Sequence, residues 1–326
     1  MEKMMVLQKT PKRQKIELSV DAKDWISELP ESIKQRILFF LPPKDAARTT
    51  IVSKMWQQAW KSLRSVHFDF QNIHGSFFES QDSEPEDVKL EKFMNFVDKT
   101  LQILHEEMVI IQKFILPMSL TDAKHTSYGK IIQEIVCRCP MLEELEISCC
   151  SRVDYLQLLN LPKLKKAEFD SCLTIKINEA PNLQILSGTG IVRSLLLDMS
   201  TSENVKKLKI GYVGISRHYL EELNSRFPLL ETLQMQPSNL PEIKISHHRL
   251  EKFKLFINGD TILQIDCKNL SSYAYLGSHI PSLSINSSRL QKSQNLISIH
   301  YPLDTSWFLK LRQYLGNFKQ TVVLED

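Results

Sequence analysis

Leu142-Glu143-Glu144-Leu145-Glu146-Ile147 is the stretch on which the fold turns. Its apolar residues stand at a leading position and at +3 and +5, with charged residues between them. From +3 onward this is the two-residue alternation of a strand with one buried face. The same spacing returns from Leu164, Leu183, Val205, Leu230, Leu250, Leu270 and Leu290, at intervals of 22, 19, 22, 25, 20, 20 and 20 residues. The +3 places hold Leu145, Ala167, Leu186, Leu208, Leu233, Phe253 and Tyr273, and the +5 places hold Ile147, Phe169, Gly188, Ile210, Met235, Leu255 and Tyr275. Self-similarity at a period of roughly 20 to 29 residues marks a solenoid. One repeat cannot bury its own apolar edge, so the repeats must stack and both ends need caps.

The L-x-x-L-x-L frame resembles the leucine-rich repeat, in which +8 holds Asn or Cys; Cys150, Cys172 and Asn258 fit that place. Repeats three and eight are weak, because Gly188 and then Ser293 with Asn295 interrupt the apolar series. A second alternation, Ile243 and Ile245, Leu263 and Ile265, Leu283 and Ile285, predicts two short strands per repeat in the later part. Within the repeats, helices are expected only over Lys130–Cys137 and Arg217–Arg226. Trp307, Leu311 and Leu315 on a last helix, with Val322 and Val323, are expected to cap the C-terminal end. The inward +3 and +5 places leave +2, +4 and +6 on the concave sheet. Glu144, Glu146 and Ser148 fall there, then Lys166, Glu168 and Asp170, then Lys207 and Lys209, then Lys252, Lys254 and Phe256. An acidic end thus grades into a basic stripe. Lys207 and Lys252 are expected about 10 Å apart, close enough for one acidic segment of a partner to span both. Glu144, Glu146, Lys166, Lys207, Lys209, Lys252, Lys254 and Phe256 are the candidate target contacts.

Upstream, Asp24 to Leu63 is dense in helical signals. Asp24 suits the cap of a short turn, and Pro30 the first position of a helix, where a missing N–H costs nothing. Ile33, Ile37, Leu38 and Leu41 form one apolar face, which Pro42-Pro43 ends. Asp45 suits the cap of the next helix, and Trp56 and Trp60 lie one turn apart. A unit of about 40 residues buries too little surface to be strongly stable by itself, so something should cover it. Leu29-Pro30-Glu31-Ser32-Ile33, Ile37-Leu38, Leu41-Pro42 and Val52-Ser53-Lys54-Met55-Trp56 with Trp60 resemble the plant form of the F-box, departing from it at Met55 and Gln57, where arginine is usual. The resemblance implies a Skp-type adaptor buried against Leu29, Pro30, Ile33, Ile37, Leu38, Leu41, Pro42, Val52, Trp56 and Trp60. A cullin scaffold and a RING subunit would be reached through that adaptor, and the repeats would hold a target protein for ubiquitination. Past the polar run 79–87, Leu90, Phe93, Phe96, Val97, Leu101 and Leu104 predict a helix, and Ile110 to Leu116 a buried strand. Phe93 to Leu116 also resembles the segment joining F-box to repeats in plant F-box leucine-rich-repeat proteins.

The fold class expected is therefore α+β with repeats: a small three-helix domain followed by a solenoid of short strands and few helices. The divisions are a basic tail over 1–23, the F-box over 24–66, a joining segment over 67–119, the solenoid over 120–300 and a cap over 301–326. With 42% apolar and 24% charged residues the chain reads as an ordinary folded protein. A net charge of +3 calls for neither nucleic acid nor an anionic membrane. No apolar run reaches the roughly 18 residues of a membrane span, and the expected location is nucleus or cytoplasm, with Lys12-Arg13-Gln14-Lys15 resembling a nuclear import signal. Six cysteines without a CxxC pair give no zinc spacing, so neither metal nor cofactor is expected. G-x-S-x-G, Walker A, GxGxxG and HExxH are missing, so the reading is a non-catalytic ligase subunit. A repeat scaffold outside ubiquitin ligation is the alternative.

Overall fold

Each leading residue of the frame, from Leu142 to Leu290, sits two positions before a strand, so the period of the sequence becomes the stacking of the fold. The computed structural model describes residues 25–26, 28–41, 43–70, 86–106, 109–117, 128–148, 155–170, 174–189, 194–211, 217–237, 240–298 and 304–318. Ten parallel strands make one sheet, in the order β1 (Ser65–His67), β2 (Lys113–Pro117), β3 (Glu144–Ser148), β5 (Lys166–Asp170), β7 (Ile185–Thr189), β9 (Lys207–Ile210), β10 (Thr232–Met235), β12 (Lys252–Ile257), β14 (Ser272–Gly277) and β16 (Lys292–Ile297). Equal frame positions pair across every neighbour. Leu145, Ala167, Leu186, Leu208, Leu233, Phe253 and Tyr273 form one row, and Ile147, Phe169, Gly188, Ile210, Met235, Leu255 and Tyr275 the next. All of these are buried. Gly188 keeps its place in the +5 row without a side chain, so the weak third repeat leaves the register intact.

The frame starts earlier than the expected boundary at residue 120. Leu63, Val66 and Phe68, then Ile111, Phe114 and Leu116, occupy the leading, +3 and +5 places of β1 and β2, and all six are buried. Intervals of 48 and 31 residues hide these two turns from a search for a 20-residue period. The first turn of the solenoid therefore begins inside the helical block.

The second alternation appears as β11 (Glu242–Ser246), β13 (Ile262–Asp266) and β15 (Ser282–Asn286), a three-stranded parallel sheet in the later part, as expected. Three further strands, β4 (Leu156–Leu159), β6 (Thr174–Asn178) and β8 (Ser194–Leu197), form an equivalent sheet in the earlier part, where none was expected. Leu156 and Leu158, then Ile175 and Ile177, supply the same buried alternation there.

Helices α1 (Glu31–Phe40), α2 (Pro43–Val52) and α3 (Lys54–Lys61) precede the sheet, α4 (Glu86–Glu106) lies between β1 and β2 and α5 (Tyr128–Cys137) between β2 and β3, and α6 (Met199–Ser202), α7 (Arg217–Glu221) and α8 (Leu223–Arg226) are single turns. Helix α6 was not expected. Asp198 starts it by accepting the Thr201 N–H at 2.8 Å, and its other carboxylate oxygen accepts the Glu179 N–H at 2.9 Å, which ties the turn to the preceding repeat. Pro30 stands at the cap of α1 with extended backbone, one position earlier than expected, and Asp45 lies inside α2 rather than capping it. Pro43 takes the first position of α2 instead, with its fixed φ already helical.

The turns between repeats are held by side chains of a kind the frame does not include. Asn182, Asn204 and Asn269 each precede a leading residue, and each donates to a main-chain carbonyl of an earlier turn, at Pro162, Pro181 and His248, over 2.6–2.7 Å. Of the expected +8 residues, Asn258 is exposed, and Cys150 and Cys172 lie outside the described residues. His247 holds another turn from a position 1% exposed: its Nδ1 accepts the Arg249 N–H at 3.2 Å, so its Nε2–H donates to the Phe227 carbonyl at 3.0 Å.

The C-terminal end is closed by α9 (Thr305–Leu315), capped by Asp304 through the Trp307 N–H at 2.7 Å. Tyr314 is its buried residue, whereas Trp307, Leu311 and Leu315 are only partly covered. The Tyr314 hydroxyl donates to Asn295 Oδ1 at 2.5 Å, and Phe318 stacks on Tyr273 at 5.8 Å. The polar eighth repeat is thus matched to a polar cap residue. Val322 and Val323 lie outside the described residues. At the opposite end Phe68 and Phe70 of the first turn meet Phe96 and Phe93 of α4, at 6.2 and 5.2 Å.

Two outcomes are expected. Tyr314→Ala should lower stability in urea unfolding by about 3 kcal/mol, with the loss confined to the last repeats, while Tyr314→Phe should cost about 1 kcal/mol. For His247, burial holds the imidazole below its ordinary value of 6.5, with His248 and Arg249 acting in the same direction. A depressed folded value means that the unfolded chain takes up the proton first. The stability tied to neutral His247 is then present above 6.5 and lost as pH falls below it. Thermal unfolding should occur at a lower temperature near about pH 5.5 than near about pH 7.5, and the gap should narrow in His247→Gln.

Candidate functional site

Two surfaces carry the candidate residues: the three N-terminal helices and the outer face of the ten-stranded sheet. In the helical unit, Ser53 caps α3 by accepting the Trp56 N–H at 3.3 Å. Gln35 and Glu31 of α1 both bond Ser62 beyond α3, at 2.9 and 2.8 Å. These bonds fix α1 against α3 and turn Leu38, Ala46, Trp56, Ala59, Trp60 and Leu63 into one buried set. That set is continuous with Val66, Phe68, Leu101 and Leu104, so the solenoid and α4 cover the inner side of the helices.

The ten residues expected against an adaptor therefore separate. Leu38, Trp56 and Trp60 are 2%, 5% and 4% exposed within the chain itself, so they support the surface from behind and present nothing to a partner. Ile37 and Leu41 are half-buried against that core, Leu29 is half-exposed, and Pro30 and Ile33 are exposed. Val52 closes α2, and Pro42 lies outside the described residues. Sequence reasoning missed the most open apolar residues: Ile51 at 86%, Trp25 at 69%, Ile26 at 61% and Met55 at 41%. Met55 touches the buried Lys34 ammonium, the neighbour of Ile33, across the α1–α3 contact. The available signal was Ile51, which stands off the face marked by Ala46.

On the sheet, strands β3, β5 and β12 alternate as expected, with +3 and +5 buried and +2, +4 and +6 outward. Glu144, Glu146, Lys166, Lys207, Lys209, Lys252, Lys254 and Phe256 all face out. The expected acidic end is largely neutralised: Glu144 pairs with Lys113 at 2.7 Å and Glu168 with Lys166 at 2.6 Å. The bond to Glu168 pushes the Lys166 ammonium above its ordinary value. Asp170 accepts the Thr189 hydroxyl at 3.0 Å. The lysines farther along differ. Lys207, Lys209 and Lys252 have no ion pair among the described residues, and the Lys254 ammonium lies 4.7 Å from the centre of the Phe256 ring.

Burial pushes the Cys139 thiol up to about 12 and the Cys267 thiol to about 11, so neither is a thiolate at neutral pH. His247 and His248 stack in a turn, and no group of three His, Cys, Asp or Glu able to hold a metal occurs among the described residues. No helix of the described residues is long and apolar enough to cross a membrane.

Three short helices leading without a break into a parallel repeat sheet define an F-box protein with a leucine-rich-repeat solenoid. The F-box domain family model matches residues 26–68, and the model described as "At1g61320/AtMIF1, LRR domain" matches residues 118–304. The second match spans more than half of the chain, which belongs to this leucine-rich-repeat family and carries an F-box ahead of it. Among similar Arabidopsis thaliana proteins, F-box/FBD/LRR-repeat protein At1g78750 is 24% identical over 277 residues, covering 81% of this chain and 55% of its own length. F-box/LRR-repeat protein 13 is 23% identical over 72% of this chain and 54% of its own, and F-box/LRR-repeat protein At3g59200 is 28% identical over 60% and 41%. The chain spans about half the length of the curated relatives it matches.

The division of the helical residues is open to measurement. Trp60→Ala should lower stability by roughly 3 kcal/mol or more, whereas Ile51→Ala should change it by less than about 0.5 kcal/mol, both read by denaturant unfolding.

Proposed function

We propose that this chain is the substrate-recognition subunit of a Skp-cullin-F-box ubiquitin ligase. The helical unit docks on a Skp-type adaptor, which brings the cullin and RING subunits, and the repeats receive a target protein. Ubiquitin transfer takes place on the partners, and this chain supplies position. The observation that carries the reading is the set of large apolar side chains left open on a unit whose core is already full: Trp25, Ile26, Ile33, Ile51 and Met55. Water-exposed apolar side chains gathered on about 40 residues are the ordinary mark of an interface. Leu29, Pro30, Ile37 and Leu41 fill the margin of the proposed contact, and Leu38, Trp56 and Trp60 hold it in shape.

The test is co-purification of the whole chain with a Skp-type adaptor. Ile33→Asp with Ile51→Asp should weaken adaptor binding by at least about tenfold while leaving the unfolding temperature nearly unchanged, since an aspartate buried without a partner loses its hydration. Undiminished binding by the folded double variant would overturn the proposed contact. Failure of the native chain to bind any adaptor would favour a scaffold role outside ubiquitin ligation.

A further inference from the structure

The register of the sheet sorts the outer face between β9 and β16 into three rows. The +2 row reads Lys207, Thr232, Lys252, Ser272, Lys292, and the +4 row Lys209, Gln234, Lys254, Ala274, Gln294. Across β12, β14 and β16 the +6 row reads Phe256, Leu276, Leu296. Lysines thus recur on every second strand, separated by neutral residues, and beside them runs an apolar row in which Leu296 is 52% exposed. Glu231 and Glu251 stand at the turns entering β10 and β12 and make no ion pair with these lysines. The contrast with β2, β3 and β5, where Lys113–Glu144 and Lys166–Glu168 close on themselves, marks the later face as the one short of counter-charge.

Strand spacing of about 4.8 Å puts Lys207, Lys252 and Lys292 about 10 Å apart in line, with Lys209 and Lys254 repeating that step about 7 Å away along the strands. An extended strand repeats a face every two residues, about 6.7 Å, and misses this pitch. A polyproline II segment has three residues per turn and rises about 9.3 Å per turn, which meets it. We propose that this face binds an acidic segment of a partner protein, laid across the strands in polyproline II conformation. Acidic residues at every third position meet the lysine rows, and apolar residues on the adjoining side of the segment meet Phe256, Leu276 and Leu296. This names the chemistry of the target in the reading above and rests on that reading for its biological setting, but the binding itself does not need the adaptor.

The experiment follows fluorescence anisotropy of a fluorescein-labelled peptide of four Glu-Pro-Leu repeats titrated with the whole chain and no adaptor. Saturable binding is expected, weakening with added salt and falling by about tenfold or more when the glutamates are replaced by glutamine. Lys207→Glu, Lys209→Glu, Lys252→Glu and Lys254→Glu combined should abolish binding, the corresponding four glutamine changes should weaken it by about tenfold, and Phe256→Ser with Leu276→Ser should weaken it severalfold. The glutamine set keeps the test open should the reversed set fail to fold. Equal affinity for the glutamine peptide, undiminished binding by the folded lysine variants, or no binding by the native chain would overturn the proposal. So would tighter binding of a helix-forming peptide of equal charge or of a twelve-nucleotide oligothymidylate. Each of these results leaves the adaptor reading to the co-purification experiment, and loss of adaptor binding leaves this one untouched.

Discussion

The structure depends on the pairing of like with like along a parallel sheet. In a parallel ladder with equal register, the +3 residue of each turn lies against the +3 residue of the next, and the +5 rows do the same. Leu145 through Tyr273 is therefore one continuous apolar column, as is Ile147 through Tyr275. No turn owns its core. Each gains burial only by contact with two neighbours, so stability is a property of the array and of how its ends are closed.

That constraint explains the treatment of both ends. At the C-terminal end the columns finish on Ser293 and Asn295, which are too polar to be covered by a leucine face; the Tyr314 hydroxyl answers Asn295 and the aromatic rings of Tyr314 and Phe318 cover Tyr273 and Tyr275. At the N-terminal end the helical unit supplies Leu38, Trp56 and Trp60 to the same core that continues through Val66 and Phe68. The helices are thus an end cap of the solenoid as well as the proposed docking unit. A partner seated on α1 to α3 is held in fixed relation to the sheet, which suits a subunit whose proposed work is to position one protein against another.

The outer face shows how placement decides the meaning of a charge. Lys113 and Lys166 have carboxylates within reach on the same or adjoining strand and close into pairs. Lys207, Lys209 and Lys252 face Thr232 and Gln234 across the ladder, and no carboxylate among the described residues pairs with them. Exposed pairs of the first kind contribute little to stability. An unbalanced row leaves its electrostatics available to a partner.

The sequence by itself determined the repeat frame, the inward and outward places of β3, β5 and β12, the second sheet of the later part and the helix over Leu90 to Leu104, because each rests on a local period that side-chain burial must obey. It also determined that the block up to Leu63 carries three short helices, described over Glu31–Phe40, Pro43–Val52 and Lys54–Lys61, and is richer in apolar residues than its own core requires. Tertiary structure alone decided which of those residues face inward. Trp56 and Trp60 read as interface residues when the block is taken in isolation, and become core once Leu63, Val66 and Phe68 are seen to begin the solenoid. Ile51, which no motif marks, and Met55, which reads only as a departure from the usual arginine, become the open surface. The first two turns escaped because intervals of 48 and 31 residues, which hold α4 and α5, break the period without breaking the register, and pairing of strands distant in sequence is not written in any local pattern. The Lys113–Glu144 ion pair escaped for the same reason: the two residues are 31 apart and meet only because β2 and β3 are neighbours.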